Sequence, residues 1–177
     1  MGEYYMNIRK ATSYDLDAIE KIYNEIHTAE ESGRATVGWI RGVYPTRKTA
    51  EDSILRGDMF VLEDEKIIGA GMINQTQVDG YFGAPWRFDS NAVCVLHTLV
   101  ISPKEAGKGY GRAFVEFYER WALAHGLPEL RMDTNAKNIA ARAMYQKLGY
   151  EEIGIVPTVF NGIPGVDLVL LEKNLRK

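Results

Sequence analysis

The stretch Lys104-Glu-Ala-Gly-Lys-Gly-Tyr-Gly-Arg112 lies between an apolar strand pattern and a helix pattern, and it constrains the fold more than any other part of the chain. Glycines at 107, 109 and 111 open backbone conformations closed to other residues, so successive N–H groups can converge on one anion. The helix behind them adds its unpaired first-turn N–H groups and the positive end of its dipole. Two phosphate motifs fail here. A dinucleotide fingerprint requires glycine where Arg112 stands, and a Walker sequence requires Ser or Thr after Gly-Lys, where the chain has Gly109.

The 177 residues, 46% of them hydrophobic, suffice for one domain with a sizeable core, so 1–177 reads as a single domain. A formal net charge of −3 argues against a general nucleic-acid binder. The single cysteine, Cys94, excludes a disulfide framework and a cysteine-based metal cluster and fits a reducing compartment; no metal is expected. Met1 to Met6 lacks a cationic stretch leading into an apolar core, and no apolar run nears the roughly 20 residues of a membrane span. The expectation is a cytoplasmic protein with no membrane partner.

Periodicity predicts a strand over Met6 to Lys10, then Thr12 and Asp15 at capping-box spacing before a helix carrying Leu16, Ile19, Tyr23 and Ile26. Thr49 and Asp52 repeat that spacing before a shorter helix ending near Gly57. Met59 to Glu63 and Lys66 to Asn74 read as a hairpin. Ala92 to Ile101 is the strongest strand and Tyr110 to His125 the longest helix. A strand over Glu129 to Asp133 and a helix over Asn138 to Leu148 follow. Strands over Tyr150 to Val156 and Val166 to Leu171 are joined by a turn at Gly162, Pro164 and Gly165. The segment from Asp79 to Ser90, with Tyr81, Phe82, Trp86 and Phe88, is too irregular for an element; functional loop and core-edge cap both stay open.

Leu99-Val-Ile-Ser-Pro103, Gly107-Lys-Gly-Tyr-Gly-Arg112, and Asn138 with Ala141, Tyr145, Leu148, Gly149 and Tyr150 together resemble the acyl-CoA and helix-packing motifs of the GNAT family of N-acetyltransferases. The element order is similar across nearly the whole chain. One position departs: the family usually carries Arg or Gln where this chain has Ala106, which implies weaker rather than abolished binding. The resemblance implies a mixed α/β fold, a mostly antiparallel sheet of six to seven strands with a splayed parallel pair and helices on both faces. It implies acetyl-CoA as acyl donor and an amine acceptor, and it is compatible with a homodimer.

Carried over residue by residue, the resemblance gives Leu99 N–H the task of polarising the thioester carbonyl. Leu99, Val100 and Ile101 would bind the pantetheine arm like an added strand. The pyrophosphate would sit on the N–H groups of Gly107, Lys108, Gly109, Tyr110, Gly111 and Arg112. Asn138, Ala141 and Tyr145 share a helix face, and Tyr145 takes the part of general acid. For the base, strand alternation puts His97 on one face with Leu99 and Ile101, and imidazole titrates in a useful range. Base and satisfied strand histidine both stay open for His97, with Asp133 in reserve. The resemblance implies an acceptor site over Glu25 to Pro45 and Pro157 to Pro164, joined by the aromatic loop around Tyr81 and Trp86; within it Glu25, Glu30 and Glu31 are candidates for attracting a cationic amine, or a solvated helix end. Cys94 falls on the other strand face from His97, so transfer is expected to be direct within a ternary complex. A non-catalytic acyl-CoA-binding module and a longer acyl donor are the alternatives.

Overall fold

The computed structural model describes residues 6–176, so the leader reading of Met1 to Tyr5 lies outside the described residues. Seven strands form one sheet in the order β1-β2-β3-β4-β5-β7-β6. They are β1 Asn7–Lys10, β2 Met59–Asp64, β3 Lys66–Asn74, β4 Val93–Ile101, β5 Glu129–Asn135, β6 Glu151–Phe160 and β7 Ile163–Asn174. Among the described residues only the β4–β5 pair is parallel. No helix among them is long and apolar enough to cross a membrane.

Among the described residues four α-helices, α1 Leu16–Glu31, α2 Arg47–Arg56, α3 Tyr110–Ala124 and α4 Ile139–Lys147, cover both faces of the sheet. On one face Ile19, Ile22 and Tyr23 of α1 pack on Val61, Ala70 and Met72. On the other, Phe114, Val115 and Tyr118 of α3 and Tyr145 of α4 pack on Cys94, Leu96 and Leu130. Each fully buried aliphatic or aromatic side chain of this kind contributes on the order of 1.5–3 kcal/mol of transfer free energy. A third cluster joins Tyr81 to Val95, Leu168 and Leu170, placing the 79–90 segment over the β4-β5-β7 part of the sheet.

Local signals set most boundaries. Asp15 accepts from the Thr12 N–H at 2.8 Å, closing the anticipated capping box. The start of α2 differs: Thr46 is the N-cap and Thr49 its capping-box partner, with Thr46 N–H donating to Thr49 Oγ1 at 2.9 Å. Asp52 instead pairs with Lys48 one turn away, at 2.8 Å. The last hairpin also differs from expectation. Its turn is Asn161-Gly162, with φ of 47° and 84°, the left-handed pair that matches the twist of the flanking strands. Pro164 and Gly165 therefore lie inside β7, where that strand pairs with β6 alone and Pro is tolerated.

Candidate functional site

The site is created by a fault in β4. Its register with β3 runs Met72↔His97 and Ala70↔Val100, so Thr98 and Leu99 together oppose Gly71. This is a bulge, with Thr98 at φ 51°, and it interrupts the ladder and bends the strand. On the other side β4 pairs with β5 only from Val93↔Glu129 to Leu96↔Met132. Beyond that point the two strands part, and residues 97–101 face 133–135 across an open wedge. The splayed parallel pair is thus present, and the bulge sits at its apex.

The bulge also overturns the simple alternation expected of this strand. Leu99 and Ile101 pack on the α3 and α4 side of the sheet. Val100 and Met72, the register partner of His97, belong to the α1 and α2 side. His97 therefore does not share a face with Leu99 and Ile101; the extra residue puts it on the opposite one. It faces a cavity of about 500 Å³ lined also by Tyr44, Arg56, Asn74, Asp133 and Phe160. A smaller hollow of about 60 Å³, lined by Trp39, Leu99, Asn135 and Asn138, shares Thr98, Asp133 and Phe160 with it.

Asp133 lies where the two hollows meet. Burial pushes its carboxyl up to about 6, against the opposing effect of a hydrogen bond from Tyr81, whose hydroxyl donates to Oδ2 at 2.7 Å. Two other phenols feel its charge. Burial first, and then Asp133, raise the Tyr145 hydroxyl well above the ordinary tyrosine range. Tyr44 is pushed up to about 12, by burial above all. All three tyrosines are therefore proton holders at neutral pH, and Asp133 alone among these groups titrates there.

The geometry fixes the tautomer of His97. Asn74 donates through Nδ2 to Asp58 at 2.9 Å and accepts at Oδ1 from the Thr76 N–H at 2.8 Å, so its amide orientation is set. His97 Nε2, 2.8 Å from that same Oδ1, must be the donor, leaving Nδ1 as the basic nitrogen. Burial lowers the imidazole to about 4. His97 is thus neutral and weakly basic at physiological pH.

The glycine turn has the anticipated shape with one change. Gly107 and Gly109 take φ of 78° and 82°, and Gly109 is the N-cap of α3. Open space surrounds both positions. Gly111 is different: it sits in the first helical turn, and its missing Cβ admits Met144 of α4, whose Sδ would lie 3.3 Å from an added methyl. The cationic side chains turn to local carboxylates, Lys108 to Glu105 at 2.5 Å and Arg112 to Glu116 at 2.8 Å. Tyr110 donates to Asp64 at 2.6 Å, tying the start of α3 to the end of β2. The backbone N–H groups of this turn, rather than its side chains, are what an anion would meet. Open space beside Gly107 and Gly109 and the parting of β4 from β5 beyond Leu96 and Met132 suit a long phosphorylated arm carrying a reactive end.

The three acids on α1 are spoken for. Glu25 accepts from Ser102 Oγ and pairs with Lys104 at 3.2 Å. Glu30 accepts from the N–H groups of Val37 and Gly38, at 2.9 and 3.2 Å, and shapes the α1–α2 connection. Glu31 pairs with Arg41 at 2.8 Å. Glu30 and Glu31 thus brace the α1–α2 connection, while Glu25 ties α1 to the segment that follows β4. On α4, Asn138 caps the helix by accepting from the Ala141 N–H at 3.2 Å, while Ala141 and buried Tyr145 belong to the core beside Leu99 and Ile101. The 79–90 segment is a pinned cap: Trp86 donates to the Tyr81 carbonyl at 2.8 Å, and buried Glu172 accepts from Arg87 Nε at 2.8 Å. Tyr44, Phe160 and Asn161 line the cavity from within the two acceptor segments expected from the sequence, 25–45 and 157–164; Thr98, which no local signal marks, was missed.

The profile of the Acetyltransferase (GNAT) family matches residues 16–150. Streptothricin acetyltransferase of Escherichia coli is 29% identical over 122 residues, 65% of this chain and 61% of that protein. The chain thus spans less than two thirds of that curated relative. A GNAT-family acetyltransferase of Streptococcus agalactiae superposes with a TM-score of 0.81 at 26% identity, over 99% of this chain and 100% of that one. A Salmonella typhimurium protein solved with its cofactor acetyl-CoA shares the fold, with a TM-score of 0.68 at 21% identity over 97% and 95% of the two chains.

Proposed function

This chain belongs to the GNAT acetyltransferase family, and from that premise we propose that it transfers an acetyl group from acetyl-CoA to a primary amine by direct attack within a ternary complex. The observation that carries this reading is the end of the β4–β5 ladder at Leu96↔Met132, beyond which the two strands part beside the cavity lined by Asp133. When bound, acetyl-CoA supplies a thioester whose acyl carbon accepts the amine.

This chain's residues have separate tasks in that reading. The N–H groups from Gly107 to Arg112 hold the pyrophosphate, and Leu99, Val100 and Ile101 offer backbone groups to the pantetheine arm. Leu99, beside the bulge, would offer its N–H to polarise the thioester carbonyl. Asn138 and Ala141 keep α4 against the wedge.

Asp133 is the base. An alkylamine holds its proton near ~10, so a group must take that proton as attack begins, and a carboxylate near 6 is a better acceptor than an imidazole near 4. His97 lines the same cavity as a neutral polar wall that hydrogen-bonds through Asn74. Tyr145, kept protonated by burial and by Asp133, holds its phenolic proton for the departing sulfur. The acceptor occupies the cavity of about 500 Å³ between α2, Tyr44 and the β6–β7 turn, which suits a small molecule or the end of a peptide.

Calorimetry with acetyl-CoA, followed by detection of free CoA across a panel of amines, tests the proposal. Binding at micromolar concentration and amine-dependent CoA release are expected; no heat from acetyl-CoA would overturn it.

A further inference from the structure

We propose that Tyr81 is a positioning residue for the reaction: from the aromatic segment between β3 and β4, its hydroxyl holds the Asp133 carboxylate in place to take up the acceptor's proton. The inference rests on the reading of Asp133 as base. Tyr81 is 1% exposed, and its hydroxyl meets Asp133 Oδ2 at 2.7 Å. The bond engages one carboxylate oxygen and leaves Oδ1 for the proton that leaves the amine nitrogen.

The ring has little freedom to point elsewhere. Trp86 packs edge-on against it with centroids 5.1 Å apart and donates its indole N–H to the Tyr81 carbonyl at 2.8 Å. The Arg131 guanidinium lies over the Trp86 ring, 4.1 Å from its centroid. Arg131 is itself 2% exposed and donates to the Phe88 carbonyl at 2.6 Å. Arg131 and Asp133 lie two apart on β5, so the strand that carries the base also clamps the segment that orients it. A side chain locked by packing and backbone bonds is what holds a reacting group to geometry.

Electrostatics give the contact its consequence. Tyr81 is raised well above its ordinary range by burial, so it remains a donor at all working pH. Its hydrogen bond pulls Asp133 down while burial pushes it up. Without that donor the carboxyl would hold its own proton over more of the neutral range, and less of it would be free to accept another. Of the other groups around Asp133, Tyr44 and Tyr145 stay protonated and His97 stays neutral between pH 5 and 8, while the Arg56 guanidinium pairs with Asp58 at 3.0 Å and that of Arg131 lies over Trp86.

The test is Tyr81→Phe in the full chain, with Asp133 followed by carbon NMR of aspartate-labelled protein and assigned by Asp133→Asn. The Asp133 titration should move up by about one pH unit, the loss of one charge-assisted hydrogen bond. The acidic limb of kcat/KM should move with it, while acetyl-CoA affinity stays within about twofold. An unmoved Asp133 titration in the folded variant would overturn the role of Tyr81 and leave Asp133 as base. A moved titration with a stationary rate profile would remove Asp133 as base, and the proposal with it. Should the Phe variant fail to fold, Trp86→Phe, which loosens the clamp and keeps the hydroxyl, should shift both readings the same way by a smaller amount; no shift would overturn the proposal.

Discussion

The hydroxyl of Tyr44, at the end of the α1–α2 connection, hydrogen-bonds Thr98 Oγ1 at the bulge of β4. It ties the segment that roofs the cavity to the residue whose φ of 51° opens the sheet. The ring is also held edge-on by Phe160 at 5.5 Å and Trp39 at 6.2 Å, so both walls of the cavity converge on it. Tyr44→Phe keeps the packing and removes the bond. We expect KM for the amine to rise about tenfold, equivalent to about 1.4 kcal/mol, with acetyl-CoA affinity by calorimetry nearly unchanged. Equal loss of both would make the contact a support of the whole wedge.

Asp133→Asn should lower kcat by about 10²–10⁴, the span of general-base catalysis. The same change should stabilise the fold. Asp133 is raised from 3.8 to about 6 in the folded protein, so the native state binds more protons than the unfolded one between those values and stability falls as pH rises through them. The Asn variant escapes that loss. Its melting temperature should exceed that of the parent at pH 8 and match it below about pH 4. In His97→Gln, by contrast, the acidic limb near pH 6 should persist, because His97 is neutral throughout that range. Its disappearance would return the base to His97.

Tyr145→Phe should reduce kcat more than it reduces acetyl-CoA affinity. The hydroxyl is buried beside Tyr150, with ring centroids 6.1 Å apart, and the Phe ring fills the same space. A tenfold or larger fall in kcat with a dissociation constant within threefold is expected. Parallel losses in stopped-flow and calorimetry would make Tyr145 a binding residue.

Gly109→Ala forces a methyl-bearing residue to φ of 82° at the N-cap of α3. The left-handed strain is about 1–2 kcal/mol, and relief of it would rotate the N–H groups away from the pyrophosphate. Acetyl-CoA affinity should fall about tenfold. Lys108→Ala, which removes a side chain already paired with Glu105, should change affinity less than threefold. The reverse order would assign the phosphate contact to side chains.

The glycine turn, the α3 and α4 patterns and the order of elements were legible because they are local. A residue needing positive φ, a cap or a 3.6-residue stripe announces itself within one window of sequence. The face of His97 was not legible in this way. Alternation along β4 holds from Val93 to His97, but it fails at Thr98, where register with β3 admits an extra residue that no local signal marks. The three acids of α1 looked available for the same reason: their partners, Ser102, Arg41 and the N–H groups of Val37 and Gly38, come from later in the chain.

By itself the sequence determined the order of elements, the glycine turn before α3 and the placing of Asn138 and Tyr145 on one helix, since each depends on spacing along the chain. Tertiary structure alone decided which group titrates in the cavity. Asp133 acquires its value near 6 from burial opposed by a tyrosine 52 residues away. Desolvation and hydrogen bonding depend on what surrounds a carboxylate in space, and strand pairing brings those surroundings together without regard to sequence distance.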